Sequence, residues 1–386
     1  MSSATVFRLG LLRLTDAAPL IMARELGYFA AENIEVALSV EPSWANIADK
    51  LSYGLLDGAM ILAPLALALR LGLSGSGGPE AIIVPIALSL NGNTVTLAKR
   101  WADQVFDAND DIAALDTARR FATAVRKGGE KPILGVVHTF STHNLLLRYW
   151  LATGGIDPDR DVTFMVVPPA ETADALASGK IDGFCAGAPW GEVAARAGAG
   201  RAVATSHAIW NHGTEKVLAV RQQIAEETPD RLQAVLRAVL RAAAYCDNPG
   251  NALSVAMILA RQYYLGIPAD VIVTSLPGAA SRGRSDADVS VFFSNATNVP
   301  WRSHAQWFLG QMRRWGYVAK NADPGPAAAI FRPELYAQAA CSLGLPVPTA
   351  FAKSEGHHSS DWLLPASPAP IPMGPDSFID GAVFDP

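Results

Sequence analysis

A short polar run in the middle of the chain has the chemistry of an anion site. Ser141 and Thr142 precede a helical pattern, so one of the two is expected to cap that helix. The exposed N–H groups at a helix N-terminus attract anions, and His143 in the first turn would add a further donor. The same pattern also describes an ordinary capped helix with a histidine on its surface.

Three more side chains could complete such a site. Lys216 lies in a short β-like segment, where its ammonium could neutralise a small anion, although it could equally be a solvated lysine beside Glu215. Trp44 follows a strand pattern and precedes a helix, which places it on a rim; its indole N–H could face a ligand, or its ring could pack between loops. Asn93 ends an Asn-Gly-Asn turn and offers an amide donor.

Two sets of alternating strands and helices must position these residues. This alternation is typical of parallel α/β sheets. The segments 55–61 and 179–185 both place Asp-Gly at the entry to an apolar strand, so the sets echo each other. The expected strands lie at 7–14, 34–40, 58–62 and 82–87 in the first set, and at 133–137, 162–167 and 181–186 in the second. The expected helices lie at 19–26, 45–53, 142–152 and 171–178, with another from 190 and long amphipathic ones at 229–246 and 252–264.

The domain organisation follows from these sets. The β-like segments 94–98 and 216–220 look like chain crossings between two lobes, which predicts an α/β clamshell that holds a ligand in its cleft. The segment 346–375 is rich in Pro, Ser and His and is either an extended arm over the body or a partly mobile tail. The expected divisions are 1–92 for the first part of lobe 1, 93–215 for lobe 2, 216–345 for the mostly helical return to lobe 1, and 346–386 for the arm.

Composition excludes several classes of function. The net charge is −5 and no dense Lys/Arg block occurs, which argues against direct nucleic-acid binding. No apolar run is long enough to span a bilayer, so we expect no membrane contact. The three cysteines are far apart, which predicts neither a disulfide framework nor a metal site and suits a reducing compartment.

Signatures of catalysis are missing from the sequence. It has no Gly-x-Gly-x-x-Gly or phosphate loop, no His-Glu-x-x-His, no Gly-x-Ser-x-Gly and no Cys-x-x-Cys. We therefore expect a binding protein without a cofactor or metal rather than an enzyme. The first strand pattern begins at Phe7 with no signal peptide ahead of it, and from this we expect a cytoplasmic protein.

Several segments together resemble the nitrate- and bicarbonate-binding receptor family. They include Ala-Arg-Glu-Leu-Gly-Tyr-Phe at 23–29, Thr-His-Asn-Leu-Leu-Leu-Arg-Tyr-Trp at 142–150, Phe-Cys-Ala-Gly-Ala-Pro-Trp at 184–190 and the closing 377–386. The resemblance implies a type II periplasmic-binding-protein clamshell. It also implies a nitrate or nitrite pocket lined by Trp44, Asn93, Thr142, His143 and Lys216.

Two positions depart from the family pattern. Asn93 stands where the transporter receptors have Gln, and Ala188 stands where transporter-linked members have Glu. Because bicarbonate carries an O–H that needs an acceptor, the loss of a carboxylate at Ala188 predicts a donor-only pocket that favours nitrate. It also argues against a bound Ca²⁺, which needs clustered oxygen ligands.

Within the family, the expected lack of a leader resembles the cytoplasmic nitrate/nitrite sensors of the NasS type. That resemblance implies a partner, an RNA-binding antiterminator of the NasT type, which the sensor releases when the anion binds to control nitrate-assimilation genes. Two alternatives remain open. The chain could be a receptor or regulatory domain of an anion ABC transporter, or an enzyme on the same fold, like the thiamine-pyrimidine synthases.

Overall fold

The structure is a computed structural model that describes residues 6–75, 78–106, 112–278, 289–321 and 325–386. Residues 1–5, which carry the expectation about a leader, lie outside this description. The strands are β1 Phe7–Leu11, β2 Val36–Val40, β3 Gly58–Leu62, β4 Ile82–Asn91, β5 Asn93–Ala98, β6 Ile133–Val136, β7 Thr163–Val166, β8 Gly183–Gly187, β9 Gly200–Thr205, β10 Thr214–Arg221, β11 Ser290–Val291, β12 Val347–Pro348, β13 Trp362–Leu364, β14 Ala366–Ser367 and β15 Ile371–Met373. The helices are α1 Ala18–Glu25, α2 Tyr28–Ala31, α3 Trp44–Ser52, α4 Ala63–Arg70, α5 Lys99–Val105, α6 Ala114–Gly128, α7 Thr142–Thr153, α8 Thr172–Ala177, α9 Trp190–Arg196, α10 Ser206–Ile209, α11 Gln222–Glu227, α12 Pro229–Asp247, α13 Ala252–Leu259, α14 Ala269–Ile272, α15 Arg302–Arg314, α16 Gly325–Ala328 and α17 Pro333–Ser342.

Lobe 1 is built on a sheet that the described residues form from six strands, in the order β11-β4-β10-β3-β1-β2. Strand β1 pairs in parallel with β2 and β3, whereas β10 runs antiparallel to β3 and β4. Every residue of β3 and β4 is buried, as expected for central strands of a sheet covered on both faces.

Lobe 2 is built on a second sheet, in which the described residues contribute five strands in the order β7-β6-β8-β5-β9. Strand β6 is parallel to β7 and β8, and β5 is antiparallel to β8 and β9. The molecule is therefore the two-lobed α/β clamshell that the alternating sequence pattern predicted.

The crossings between the lobes differ from the prediction. The segments expected as crossings are interior strands, since β5 and β10 each lie between two other strands of their own sheets. The chain instead passes between the lobes at Gly92, whose φ is 79°, and returns through residues 206–213. Gly92 suits this position because a left-handed φ costs little without a Cβ, and a Cβ there would collide with Ser290.

After β10 the chain is mostly helical. Helix α12 packs against α1 and α17, and α15 lies against α4 of lobe 1 and α7 of lobe 2. None of the helices within the described ranges has the length and apolar character needed to cross a bilayer.

The segment 346–386 is an arm laid over the body, one of the two alternatives that its composition left open. Strands β12 and β14 pair with each other, as do β13 and β15. Phe378 is 5% exposed and stacks on Trp210 of the return crossing, with ring centroids 5.4 Å apart. Backbone hydrogen bonds join Asn211 to Ser377 at 3.0 Å and Ile379 to Ile209 at 2.9 Å, so the arm is fixed to the second crossing.

Candidate functional site

Lobe 1 contributes residues that follow the carboxyl ends of two parallel strands, the usual position of ligand-binding groups in α/β sheets. Asp16 lies in the short turn after β1 and is fully buried. Ser43 caps α3 by accepting a hydrogen bond from the Asn46 N–H at 3.2 Å, which makes Trp44 the first helical residue. Trp44 is 1% exposed, so the prediction that it lies on a rim was wrong; its indole is inside the molecule.

Lobe 2 contributes the equivalent end of its own sheet. Ser141 caps α7 by accepting a hydrogen bond from the Asn144 N–H at 3.0 Å, so Ser141, not Thr142, is the cap. Both lobes thus use a Ser-x-x-Asn sequence to begin a helix. His143 is 0% exposed, which excludes the alternative of a surface histidine. Thr142, which begins α7 directly before His143, is buried as well.

Strands β5 and β10, which begin just after the two crossings, supply the remaining groups. Asn93 begins β5 immediately after Gly92 and is fully buried. In β10 the pairing with β4 shifts register between Thr214 and Lys216 and again between Lys216 and Val217. Neighbouring side chains of a regular strand point to opposite faces, but at this irregularity those of Glu215 and Lys216 meet, with Nζ 2.6 Å from Oε1. Both side chains are buried, so the alternative of a solvated lysine is excluded.

These groups converge on the carboxylate of Glu215. Its Oε1 accepts a hydrogen bond from Lys216, and its Oε2 accepts one from Asn93 Nδ2 at 2.6 Å. His143 Nε2 lies 3.6 Å from Oε1. Lys216 Nζ also lies 3.3 Å from Asp16 Oδ2 and 5.7 Å from the centre of the Trp44 ring. Four of the five predicted site residues, Trp44, Asn93, His143 and Lys216, are therefore in one buried cluster. The fifth, Thr142, directly precedes His143 in α7 and is also buried.

Several polar atoms of these residues have no hydrogen-bond partner within the described part of the chain. They are Trp44 Nε1, Thr142 Oγ1, Asn93 Oδ1 and both ring nitrogens of His143. An unpaired buried polar atom is costly, about 1–3 kcal/mol, so several of them together call for a partner such as bound water or a small polar ligand. The cluster is thus suited to a small polar ligand.

The charges of the cluster follow from its burial. Burial and the nearby Lys216 hold the pKa of His143 well below its usual range, so the imidazole is neutral. Burial opposes the positive charge of Lys216, but Asp16 and Glu215 overcome this effect and raise its pKa. Burial also raises the pKa of Glu215, with Asp16 adding to the rise and Lys216 opposing it. Lys216 is thus held as a cation, and the proton affinity of Glu215 is increased.

Strand β8 closes the cluster from lobe 2. A Cβ at Gly187 would lie 3.2 Å from Asp16 Oδ2 and 3.4 Å from Asn93 Oδ1, so a larger residue there would press on both side chains. The next residue, Ala188, accepts a backbone hydrogen bond from Thr15 at 2.9 Å and ties the two lobes together. The donor-only pocket predicted from Ala188 is wrong, because Asp16 and Glu215 bury two other carboxylates beside the lysine.

The sequence reasoning missed two members of the cluster and misjudged a third. Asp16 went unnoticed, as did Ser89 of β4, which donates a hydrogen bond to Asp16 Oδ1 at 2.6 Å. Glu215 was considered only as a neighbour of a solvated lysine. A signal for Asp16 exists, since an acidic residue directly after the first parallel strand lies at the ligand-binding edge of the sheet.

No group of three or more His, Cys, Asp or Glu residues arranged to hold a metal ion occurs in the described part of the chain. Cys185 and Cys246 are buried and Cys341 is exposed, all three as free thiols. Burial raises the pKa of Cys185, and its proximity to Glu215 adds to this effect.

Comparison with known proteins places this geometry in a family. The NMT1-like family matches residues 2–260, well over half of the chain. The chain belongs to the NMT1-like family. Among its relatives, the nitrate/nitrite binding protein NrtA from Synechococcus elongatus is 30% identical and covers 98% of this chain and 83% of its own length. The crystal structure of the periplasmic nitrate-binding protein NrtA from Synechocystis superposes with a TM-score of 0.85 at 26% identity and covers 99% of this chain and 96% of that one.

A second group of relatives of this NMT1-like chain consists of ATP-binding proteins of importers. The nitrate import ATP-binding protein NrtC from Synechocystis sp. is 37% identical over 349 residues, which is 88% of this chain and 50% of NrtC. The bicarbonate transport ATP-binding protein CmpC from the same organism is 38% identical over 80% of this chain and 46% of CmpC. The chain thus spans about half the length of these relatives.

Proposed function

We propose that this protein binds nitrate or nitrite in the cleft between its lobes and has no catalytic activity. The observation that carries the proposal is the convergence of Lys216, Asn93 and His143, from both lobes, on one buried carboxylate. A carboxylate is a planar, singly charged oxyanion, and nitrate and nitrite belong to the same class. The unpartnered indole N–H of Trp44 and hydroxyl of Thr142 are further donors for the oxygens of such an anion. The relationship to NrtA supports this ligand class.

The experiment is a calorimetric titration of the purified chain with nitrate, nitrite, bicarbonate and an alkanesulfonate. We expect nitrate and nitrite to bind. The variant Lys216→Ala should lose the binding, while Lys99→Ala should keep it. Lys99 is a fair control because it also pairs with a carboxylate, that of Asp103, but with 71% of its side chain exposed. Unchanged nitrate affinity in Lys216→Ala would contradict the proposal.

The finer role that we propose is that of a cytoplasmic sensor. In this role the anion closes the clamshell and releases an RNA-binding antiterminator of the NasT type, which controls nitrate-assimilation genes. Identity is higher to part of the ATP-binding protein NrtC than to NrtA, 37% against 30%, which favours an intracellular site of action because ATP is available there. A hundredfold preference of the anion for the closed over the partner-bound form corresponds to about 2.7 kcal/mol, within the usual range of allosteric coupling.

The alternative role is that of a substrate-binding or regulatory component of an anion ABC transporter. A co-purification experiment separates the two roles. The sensor should retain the antiterminator in nitrate-free buffer and release it when nitrate is added. Co-purification with a permease or ATPase, and no nitrate-sensitive complex with the antiterminator, would favour the transporter role.

A further inference from the structure

We propose that the Glu215 carboxylate is a built-in surrogate of the anion, and that nitrate or nitrite binds only by displacing it from Lys216. The inference deepens the proposed function and rests on it. It names Glu215, which lies outside the predicted ligand set, as the residue that sets how tightly and under which conditions the anion is held.

The hydrogen bonds to the Glu215 carboxylate support its role as a surrogate for the anion. Both carboxylate oxygens are held by donors that the ligand is expected to use: Oε1 by Lys216 at 2.6 Å and Oε2 by Asn93 at 2.6 Å. His143 Nε2 is 3.6 Å from Oε1 and has no other partner among the described residues. One flat, delocalised oxyanion therefore already occupies the donors, and the O–C–O group of Glu215 matches the O–N–O group of nitrite or nitrate.

The surrogate is held there by the backbone. Glu215 and Lys216 are adjacent in the chain, and the register shifts in β10 allow both side chains to reach the same point. A group tethered this closely competes at a high effective concentration, about millimolar or above. A free anion must therefore outcompete a neighbour that never diffuses away, which weakens its apparent affinity.

Displacement changes the proton balance of the site. Once the anion takes Lys216, two negative groups, Glu215 and the anion, lie in a buried space that also holds Asp16. Their repulsion is relieved when Glu215 takes up a proton, and the protonated carboxyl can then donate a hydrogen bond to the anion. Burial and Asp16 already raise the pKa of Glu215 toward this state.

Four other titratable side chains face Glu215. The pKa of His143 on α7 is held well below the usual value for histidine, and the pKa of Lys216 is raised above the usual value for lysine. Cys185 on β8 has its thiol pKa raised as well. Asp16 in the turn after β1 stays paired with Ser89 and Lys216. The proton taken up on binding goes to Glu215, because Glu215 is the carboxyl that loses its contact with Lys216 when the anion binds.

The sign of the pH dependence follows. The anion raises the pKa of Glu215 above its value in the free protein, so binding consumes a proton in the window between the two values. In that window the affinity falls as the pH rises, by up to about tenfold per pH unit. Nitrate stays ionised throughout, so the dependence reports the protein alone.

The test is nitrate calorimetry between about pH 5 and pH 9 on the wild type and on Glu215→Gln. The amide keeps the shape of the side chain but carries no charge and takes up no proton. At the alkaline end, we expect the variant to bind nitrate at least about tenfold more tightly than the wild type does. Its affinity should be nearly constant across the pH range. Glu32→Gln is the matched control, because Glu32 is also ion-paired, to Arg237 and Arg241, with 10% of its side chain exposed.

Two further measurements keep the inference testable if Glu215→Gln folds poorly. Wild-type titrations in buffers of different ionisation enthalpy should show close to one proton taken up per nitrate bound. Glu215→Ala should bind acetate, which replaces the missing carboxylate, and acetate should compete with nitrate.

The outcomes separate this inference from the proposed function. No nitrate or nitrite binding by the wild type at any pH would overturn both. Binding by the wild type without proton uptake, together with unchanged affinity and pH profile in Glu215→Gln, would overturn the surrogate role and leave the anion site standing.

Discussion

Replacing Lys216 by methionine tests the electrostatics of the cluster directly. The side chain is 0% exposed, and its ammonium lies 2.6 Å from a Glu215 oxygen and 3.3 Å from an Asp16 oxygen. Methionine fills a similar volume but leaves two buried carboxylates facing each other without a cation. Removing one partner of a buried charge group costs about 3–5 kcal/mol. The free energy of unfolding should fall by about this amount near pH 8.

The loss should depend on pH in a definite direction. Burial already raises the pKa of Glu215, and removing the lysine, which opposes that rise, raises it further. A carboxyl whose pKa is raised by folding binds more protons in the native than in the unfolded state, so stability falls as the pH rises through this range. The destabilisation of Lys216→Met should therefore be smaller near pH 6 than near pH 8.

Urea unfolding of four proteins at these two pH values measures the effect. They are the wild type, Lys216→Met, the double variant Lys216→Met/Glu215→Gln and the surface control Lys99→Met. The double variant should recover about half of the loss or more, since one of the two buried carboxylates is then replaced by a neutral amide, and the control should change by less than about 1 kcal/mol. The reasoning is refuted if Lys216→Met loses less than about 1 kcal/mol, or if its loss is the same at both pH values.

Three further predictions concern the walls of the site and the arm. Gly187→Ala places a methyl against Asp16 and Asn93 and should weaken nitrate binding about tenfold in a calorimetric titration, whereas Gly310→Ala, whose Cβ meets nothing within 4 Å, should leave it unchanged. Trp44→Phe removes an unpartnered indole N–H; it should leave the thermal midpoint nearly unchanged and weaken nitrate binding about fivefold. Trp101→Phe removes another unpartnered N–H and should change neither the midpoint nor the binding. Equal effects of the two variants on nitrate binding would argue against a ligand at Trp44. Phe378→Ala should cost about 3–5 kcal/mol in denaturant unfolding and expose the arm to limited proteolysis, while Val383→Ala, at a side chain 50% exposed, should do neither.

Local sequence patterns predicted the framework well where one rule dominated. Strand β3 spans Gly58–Leu62 as expected, because an apolar run follows an Asp-Gly turn. Strand β4 runs to Asn91, beyond the expected end at 87, since its burial on both faces continues through Ser89. Strand β1 ends at Leu11 rather than 14, where the chain turns toward Asp16. Strand ends that are set by tertiary contacts cannot be predicted from local periodicity.

The site was predictable as a set of donors but not as a balance of charges. His143 and Lys216 were found because a capped helix and a crossing strand suggest an anion site. The meeting of Glu215 and Lys216 could not be predicted, since a regular strand would separate them and only the register shift brings them together. The prediction from Ala188 failed for a related reason: it counted carboxylates along one motif, whereas the fold brings Asp16 from a distant turn.

The paired Ser-x-x-Asn caps of α3 and α7 have a consequence for how such a protein can change. Each cap begins a helix whose first turn carries a residue of the cluster, Trp44 in α3 and His143 in α7. Part of the attraction for negative charge therefore comes from the main chain at these helix N-termini, which no point substitution removes. The general preference for an anion is then a property of the fold itself. Which anion is chosen is decided by a few replaceable side chains, so evolution could retune the ligand without rebuilding the receptor.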